Sequence, residues 1–285
     1  MPREIPAHQS GAMNMIAALL EQRTGQQIAA NRAWRIETAL KPLMRLHDLQ
    51  NLDQLVAKIV ATRGTELSEA VVDALLNQET SFFRDSAVLD MVVEAAETLQ
   101  PEATRRLRIW SAGCSNGQEP LSLAMLFAER AQSSGIPQPE ILATDISPAA
   151  LARAKAGRYS QFEIQRGLPV RRMVTWFDSV NGEWAAKPEL LRKIQFRQHN
   201  LASDPAPGGK FDIVLCRNVL LYFSLPLRRR VFDTLAHAVR PGGVLVLGAG
   251  ETVIGQTDLF CPSERFRGFY HPAEPGSQGR RAAIG

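Results

Sequence analysis

The stretch LRIWSAGCSNGQEP, residues 107–120, decides how the rest of the chain is read. Its first residues alternate and are rich in Ile and Trp, as in a strand, and they run into Gly113, small residues, Gly117 and Glu119-Pro120 ahead of an apolar periodic segment. The order is strand, glycine turn, helix. Two glycines let the backbone turn sharply and come close to a ligand, and Pro120 suits a first helical turn because the N–H it lacks would be unbonded there. Nucleotide-like ligands bind at such corners of open α/β sheets. The spacing here is Gly-x-x-x-Gly, without the third glycine of a dinucleotide fingerprint, and no Gly-Lys-Ser/Thr follows, which excludes a P-loop.

Downstream, residues 121–130 carry a helical pattern and residues 140–144 a short strand ending in Asp145. A carboxylate at the end of a second strand can accept hydrogen bonds from ribose hydroxyls, although Asp145 also reads as a turn or capping residue. Ser147-Pro148 caps the next helix. From 157 to 190 the strand-helix alternation breaks, and aromatic residues, short alternating stretches and the turn signal Asn181-Gly182 predict a helix followed by a small antiparallel insertion. The parallel pattern resumes at 194–198, followed by Asn200-Leu201, and again at 211–216, followed by Arg217-Asn218. A helix over 226–239, stopped by Pro241-Gly242-Gly243, a strand over 244–247 and a closing strand over 266–270 complete the sheet.

Upstream, residues 12–23, 31–46, 52–62, 67–76 and 86–99 have helical periodicity, and no strand signal precedes Leu107. In 31–46 the residues Ile36, Leu40 and Leu43 form one face, and Pro42 is expected to bend the helix. The expected organisation is an all-helical domain over 10–90, an α/β domain over 91–272 with its insertion near 157–192, and a disordered tail over 273–285, rich in Gly, Ser and Arg. Between helices, Asn77-Gln-Glu-Thr-Ser-Phe-Phe-Arg84 has no period; its paired phenylalanines read equally well as a wedge between the domains.

The 285 residues, 45% of them apolar, suffice for one large or two ordinary domains. Net charge is only +4, but it is uneven: residues 23–63 hold seven Lys/Arg against three Asp/Glu, and residues 64–102 one Arg against nine acids. Cys114, Cys216 and Cys261 lack metal-type spacing and read as reduced thiols of a cytoplasmic protein. No signal-peptide pattern and no membrane-length apolar run is present, so neither membrane insertion nor a bound metal is expected.

Gly113, Glu119, Asp145, Asn200 and Asn218 all fall just past expected parallel strands and should meet along one sheet edge. With no pyrophosphate fingerprint, a nucleoside bearing an uncharged or cationic appendage fits best, and S-adenosylmethionine is the common case.

Five blocks then carry a resemblance: Glu79-Thr-Ser-Phe-Phe-Arg84, Trp110-Ser-Ala-Gly-Cys-Ser-Asn-Gly-Gln-Glu-Pro120, Ala143-Thr-Asp-Ile146, Cys216-Arg-Asn-Val-Leu-Leu-Tyr-Phe223 and Pro241-Gly-Gly243. Together, in this order, they resemble the CheR family of chemoreceptor glutamate methyltransferases, over nearly everything from the second helix to Tyr270. The resemblance implies a helical N-terminal domain and a Rossmann-like methyltransferase domain of class I with a small β-subdomain. It implies that S-adenosylmethionine, leaving as S-adenosylhomocysteine, is held by Gln78, Thr80, Arg84, Gly113, Glu119, Asp145, Asn200, Leu201, Arg217 and Asn218, with Tyr222 near the methyl-transfer site. Gln78 stands where family members usually have Asn, and the Asn is one residue earlier, at Asn77. An arginine of the following interdomain helix serves some members; Arg105 and Arg106 are merely nearby in sequence.

The resemblance also implies that the helical domain meets the cytoplasmic part of a chemoreceptor. Stepping about 100° per residue places Trp34, Lys41 and Arg45 opposite the apolar face, and with Arg35 they make a basic surface for an acidic partner. A monomer is expected. The implied reaction makes a γ-carboxyl methyl ester, and because a glutamate is already ionised near neutral pH, no general base is required. Two other readings stand beside it. A nucleic-acid methylase would share the fold and the pI of about 9.2, but no Asn/Asp-Pro-Pro-Tyr motif for a flipped base is present. A non-catalytic binding module would use the pocket structurally, which the near-complete pocket motifs oppose.

Overall fold

A computed structural model describes residues 7–29, 34–62, 65–135 and 137–273. The chain forms two compact units, one running to Asn77 and taking in Tyr222–Ser224, the other made of Gln78–Leu221 and the chain from Leu225 onward. The division therefore falls at Asn77/Gln78 and not near residue 90. Helix Ser86–Leu99 is the reason, because it buries Leu89, Val92, Val93, Ala95 and Ala96 in the α/β core. The expected disordered tail lies outside the described residues except for Ala273.

Among the described residues the first unit contains four helices, α1 (Ala7–Thr24), α2 (Trp34–Leu46), α3 (Leu52–Thr62) and α4 (Thr65–Leu75). Their apolar faces meet in one cluster that includes Ile16, Leu20, Leu40, Leu55 and Val71, each at most 1% exposed. Burying a side chain of this kind contributes roughly 1.5–3 kcal/mol. On α2 the buried stripe is Ile36, Leu40 and Met44; Leu43, expected in the core, is half-buried at the edge of the stripe. The helix continues through Pro42, which sits on the exposed side. The segment Tyr222–Ser224 joins this unit by backbone pairing, with a bridge between Gln26 and Phe223 and a Gln27 N–H donated to the Tyr222 carbonyl at 2.8 Å.

The second unit begins with α5 (Ser86–Leu99) and is built on a seven-stranded sheet. Its strands in chain order are β1 (Arg108–Ala112), β2 (Glu140–Asp145), β6 (Ile194–Gln198), β7 (Phe211–Cys216), β8 (Val239–Leu247), β9 (Phe260–Pro262) and β10 (Phe269–Pro272). The spatial order is β6-β2-β1-β7-β8-β10-β9, parallel through β8 and antiparallel at β10 and β9. All six residues of β7 are buried, as a central strand covered on both faces requires. The chain winds outward from β1 through β2 to β6 and then returns to place β7 on the other side of β1. That reversal makes the carboxyl ends of β1 and β7 the ligand-binding crevice of such a sheet. Helices α6 (Gln118–Ser134), α7 (Pro148–Ala156) and α11 (Leu225–Ala238) provide crossovers.

Two details of the sheet differ from expectation. β8 takes in Pro241-Gly-Gly and starts at Val239, with a register irregularity against Phe211 and Ile213. The closing strand is 269–272, and the unexpected β9 lies beyond it; at three residues it is too short to show alternation. The insertion is a three-stranded antiparallel sheet, β3 (Arg158–Tyr159), β4 (Phe177–Val180) and β5 (Glu183–Ala186), in the order β3-β5-β4. Three short helices accompany it: α8 (Gln161–Gln165), α9 (Val170–Trp176) and α10 (Pro188–Leu191). Asn181 and Gly182 both have positive φ, as a two-residue hairpin turn demands.

Phe82 and Phe83 do act as wedges, but inside the second unit. Phe82 is fully buried, edge-on to Tyr159 at 4.9 Å and to Phe177 at 5.5 Å. Arg172 of α9 lies over the Phe83 ring at 4.5 Å and grips Glu129 of α6. The loop 78–85 is thereby pinned between α6 and the insertion.

Candidate cofactor-binding site

The glycine corner follows β1 directly. Gly113 has φ 83° and Gly117 φ 90°, values that cost an L-residue energy. Space is equally short: a Cβ on Gly113 would stand 2.5 Å from Val219 Cγ2, and one on Gly117 2.8 Å from the Ala154 Cβ. The Gly113 and Cys114 N–H groups both donate to the Thr144 carbonyl, at 2.8 and 2.9 Å, tying the corner to the end of β2. Burial raises the Cys114 thiol well above its usual pKa, and the charges of Asp145 and Glu119 add to the effect, so this thiol is held neutral.

Asp145, at the end of β2, accepts the Ser115 N–H on Oδ2 at 2.8 Å and the Ser147 N–H on Oδ1 at 2.9 Å. It thus fixes the glycine corner and opens the turn into α7, so the turn reading of Asp145 holds. Ser147 caps α7 by accepting the Ala150 N–H. Gln78 joins this cluster, its Nε2 donating to Ser147 Oγ at 3.1 Å while its carbonyl accepts from Ser115 Oγ at 3.2 Å. Thr80 is half-buried on the same loop, and Arg84 donates to the Glu79 carbonyl at 3.0 Å.

A second cluster forms at the end of β7. Arg217, with a side chain 2% exposed, donates to Glu119 Oε2, Asp85 Oδ2 and the Arg84 carbonyl at 2.8, 2.8 and 3.0 Å. Glu119 accepts from Ser111 Oγ through its other oxygen at 2.8 Å. The buried guanidinium therefore has two carboxylates around it, which a buried cation requires. Asn200, just past β6, accepts the Ala202 N–H on its side chain at 3.0 Å, and Leu201 beside it is buried. The N–H of His199 donates to the Asp145 carbonyl at 3.0 Å, which sets this turn against the end of β2.

The structure thus gathers Gln78, Gly113, Glu119, Asp145, Asn200, Leu201, Arg217 and Asn218 at the carboxyl ends of β1, β2, β6 and β7, with Thr80 and Arg84 on the adjoining loop. Tyr222 belongs to the helical unit, where its hydroxyl accepts from Asn77 Nδ2. Arg105 lies at the opposite end of the sheet, bonded to Asp212 at 2.7 and 2.9 Å, so it is no part of this site. One residue with a large share in the site went unread: Glu251, past β8, accepts backbone N–H groups from 218–221 and 248. It lies some thirty residues beyond the loop it holds, and no spacing rule connects the two.

The donor set suits a nucleoside with a cationic appendage. Asp85, Glu119 and Asp145 supply negative charge at the corner, Arg217 is already neutralised, and Asn116 Oδ1 is buried without a partner among the described residues. A doubly wound sheet with this glycine corner, an acid after its second strand and no phosphate cradle defines the Rossmann-like S-adenosylmethionine-dependent methyltransferases.

Comparison with known proteins narrows the class. Residues 78–268 match the CheR methyltransferase, SAM binding domain. The chain is 37% identical over 255 residues to chemotaxis protein methyltransferase 1 of Pseudomonas aeruginosa, covering 86% of this chain and 92% of that protein. It is 39% identical over 247 residues to a chemotaxis protein methyltransferase of Vibrio anguillarum, covering 85% and 89%. A chemotaxis protein methyltransferase of Listeria monocytogenes is 33% identical over 217 residues, covering 73% and 81%. The chain belongs to the CheR methyltransferase family and is an S-adenosylmethionine-dependent methyltransferase.

Proposed function

We propose that this methyltransferase forms glutamate γ-methyl esters on the cytoplasmic region of chemoreceptors, acting as a monomer in the cytoplasm. The observation that carries the reading is the electronegative nucleoside corner at β1, β2 and β7, with the block 216–223, which contains Tyr222, following β7 directly in the chain. S-adenosylmethionine supplies a methyl group already activated on its sulfonium. A glutamate oxygen bonds to that methyl carbon as the carbon–sulfur bond breaks, leaving the methyl ester and S-adenosylhomocysteine.

The residues divide the remaining work. With about four acceptor sites, the Asp145 carboxylate can hold the glycine corner and a ribose hydroxyl together. Glu119 offers negative charge, and Arg217 acts by fixing Glu119 in place. Gln78, Thr80, Arg84, Asn200, Leu201 and Asn218 wall the site, and Gln78 takes the place of the family's usual Asn. Tyr222 orients the incoming carboxylate, and Arg35, Lys41 and Arg45 of α2 meet the acidic surface of the receptor. Positioning of the two reactants provides the rate, since proximity alone can supply several kcal/mol.

This mechanism needs no base, so single-turnover transfer should be nearly independent of pH between about 6 and 8.5, the target glutamate having a pKa near 4.3. Tyr222→Phe should slow transfer without moving that plateau. A steep rise with an apparent pKa near 7 would assign a base to the reaction and overturn the mechanism.

A further inference from the structure

After β8 the chain turns at Gly248, and the side chain of Glu251 returns to the loop that leaves β7. Its Oε2 accepts the N–H groups of Asn218 at 2.7 Å and Gly248 at 2.9 Å. Its Oε1 accepts those of Val219 at 2.9 Å, Leu220 at 2.8 Å and Leu221 at 3.3 Å. Four of these donors are consecutive. They lie where β7 has ended and a single 3-10 turn, Leu220–Tyr222, begins, so neither ladder nor helix satisfies them. Asn218 adopts φ 59°, the left-handed conformation that helps turn successive N–H groups toward one point. Such a concavity is an anion site, and here the protein fills it with its own carboxylate.

The surroundings are shaped to this arrangement. A Cβ on Gly248 would stand 2.9 Å from the Asn218 backbone nitrogen and 2.9 Å from Glu251 Oε2, so glycine leaves the room the returning carboxylate uses. On the other side Val219 packs against the bare face of Gly113. The loop is therefore held between the glycine corner and Glu251, and Tyr222 is the next residue along the chain.

We infer that Glu251 is a positioning residue for methyl transfer: its carboxylate plugs the 218–221 nest and so sets the backbone that presents Asn218 and leads into Tyr222. The inference rests on the roles proposed for those two residues. Without the plug, up to five N–H groups, all but that of the exposed Leu221 on buried or half-buried residues, turn toward other partners and the loop loses its fixed course.

The test uses the full chain with Glu251→Ala and Glu251→Gln. Glu251→Ala should lose on the order of tenfold to a hundredfold in single-turnover transfer, the range a displacement of about 1 Å can cost. Hydrogen exchange should quicken at the amides of 218–221 while those of β7 and β8 keep their protection. Added formate, a carboxylate small enough for the vacated nest, should restore both transfer and protection in Glu251→Ala and leave the wild type unaffected. Glu251→Gln, which keeps the bulk but turns an amide donor toward N–H donors, should be impaired and should not respond to formate. Wild-type transfer in Glu251→Ala, or a loss that formate does not reverse, would overturn the inference. If the wild type itself transferred no methyl, the proposed reaction would fail, and formate-dependent exchange at 218–221 would still report on the nest.

Discussion

Asp145 ties the glycine corner to the turn into α7, and the ribose role proposed for it would fall to the same carboxylate. Its position after β2 was legible because strand, acid and Ser-Pro cap stand in one local run; its hold on Ser115 was not, since that partner lies thirty residues earlier. Asp145→Ala should therefore remove most S-adenosylhomocysteine binding, and unchanged affinity in calorimetry would rule out the ribose role. Asp212 marks the other end of the sheet. Burial works to raise its pKa, but hydrogen bonds from Arg105 and the Arg108 N–H, with the charges of Arg105 and Arg240, outweigh it and hold the group below the usual carboxylate range. A depressed folded-state pKa contributes stability that is complete above the unfolded value near 3.9 and is lost as pH falls through the folded one. Asp212→Asn should cost about 2 kcal/mol at pH 7, as for loss of hydrogen bonds to a charged group, and should flatten the fall in Tm below pH 4. An unchanged Tm at pH 7, or an acid limb as steep as the wild type's, would remove this pair from the stability of the sheet. Glu251 went unread, and Arg217 was read without its carboxylate partners, because each gains its role from groups that only the folded sheet edge brings close.

At the level of elements, the strands of the sheet and the helices around them were legible from periodicity, and their ends were not. The boundary of the helical unit was misplaced because α5 has the same amphipathic pattern as α3 and α4, and pattern alone cannot say which core a helix joins. On α2 the exposed face carries Trp34, 63% exposed, with Lys41 and Arg45 exposed and Arg35 half-buried. Charges on an outer helix face are commonly just solvated, and an isolated pair is worth little. This face lies in the basic segment 23–63, however, and a cluster of one sign steers an acidic partner. Lys41→Glu with Arg45→Glu should raise the KM for receptor at least about tenfold, the effect of 1.4 kcal/mol, and weaken its salt dependence. Affinity for S-adenosylmethionine should not change. Wild-type KM at low salt would make the face an ordinary solvated surface.

Across the whole molecule, the division of labour follows from where charge and apolar surface are placed. The helical unit presents a basic face, and the α/β unit carries an electronegative corner and an antiparallel insertion whose aromatics pin the loop 78–85. Among the described residues no helix is long and apolar enough to cross a membrane. The most direct measurement of the central claim is to incubate the protein with methyl-labelled S-adenosylmethionine and a chemoreceptor cytoplasmic fragment, then treat the labelled fragment with mild base. The expected result is label on the fragment that base releases as methanol, since a carboxyl methyl ester hydrolyses under conditions that leave N-methyl groups intact. Absence of label, or label that survives base, would contradict methyl transfer to a glutamate side chain.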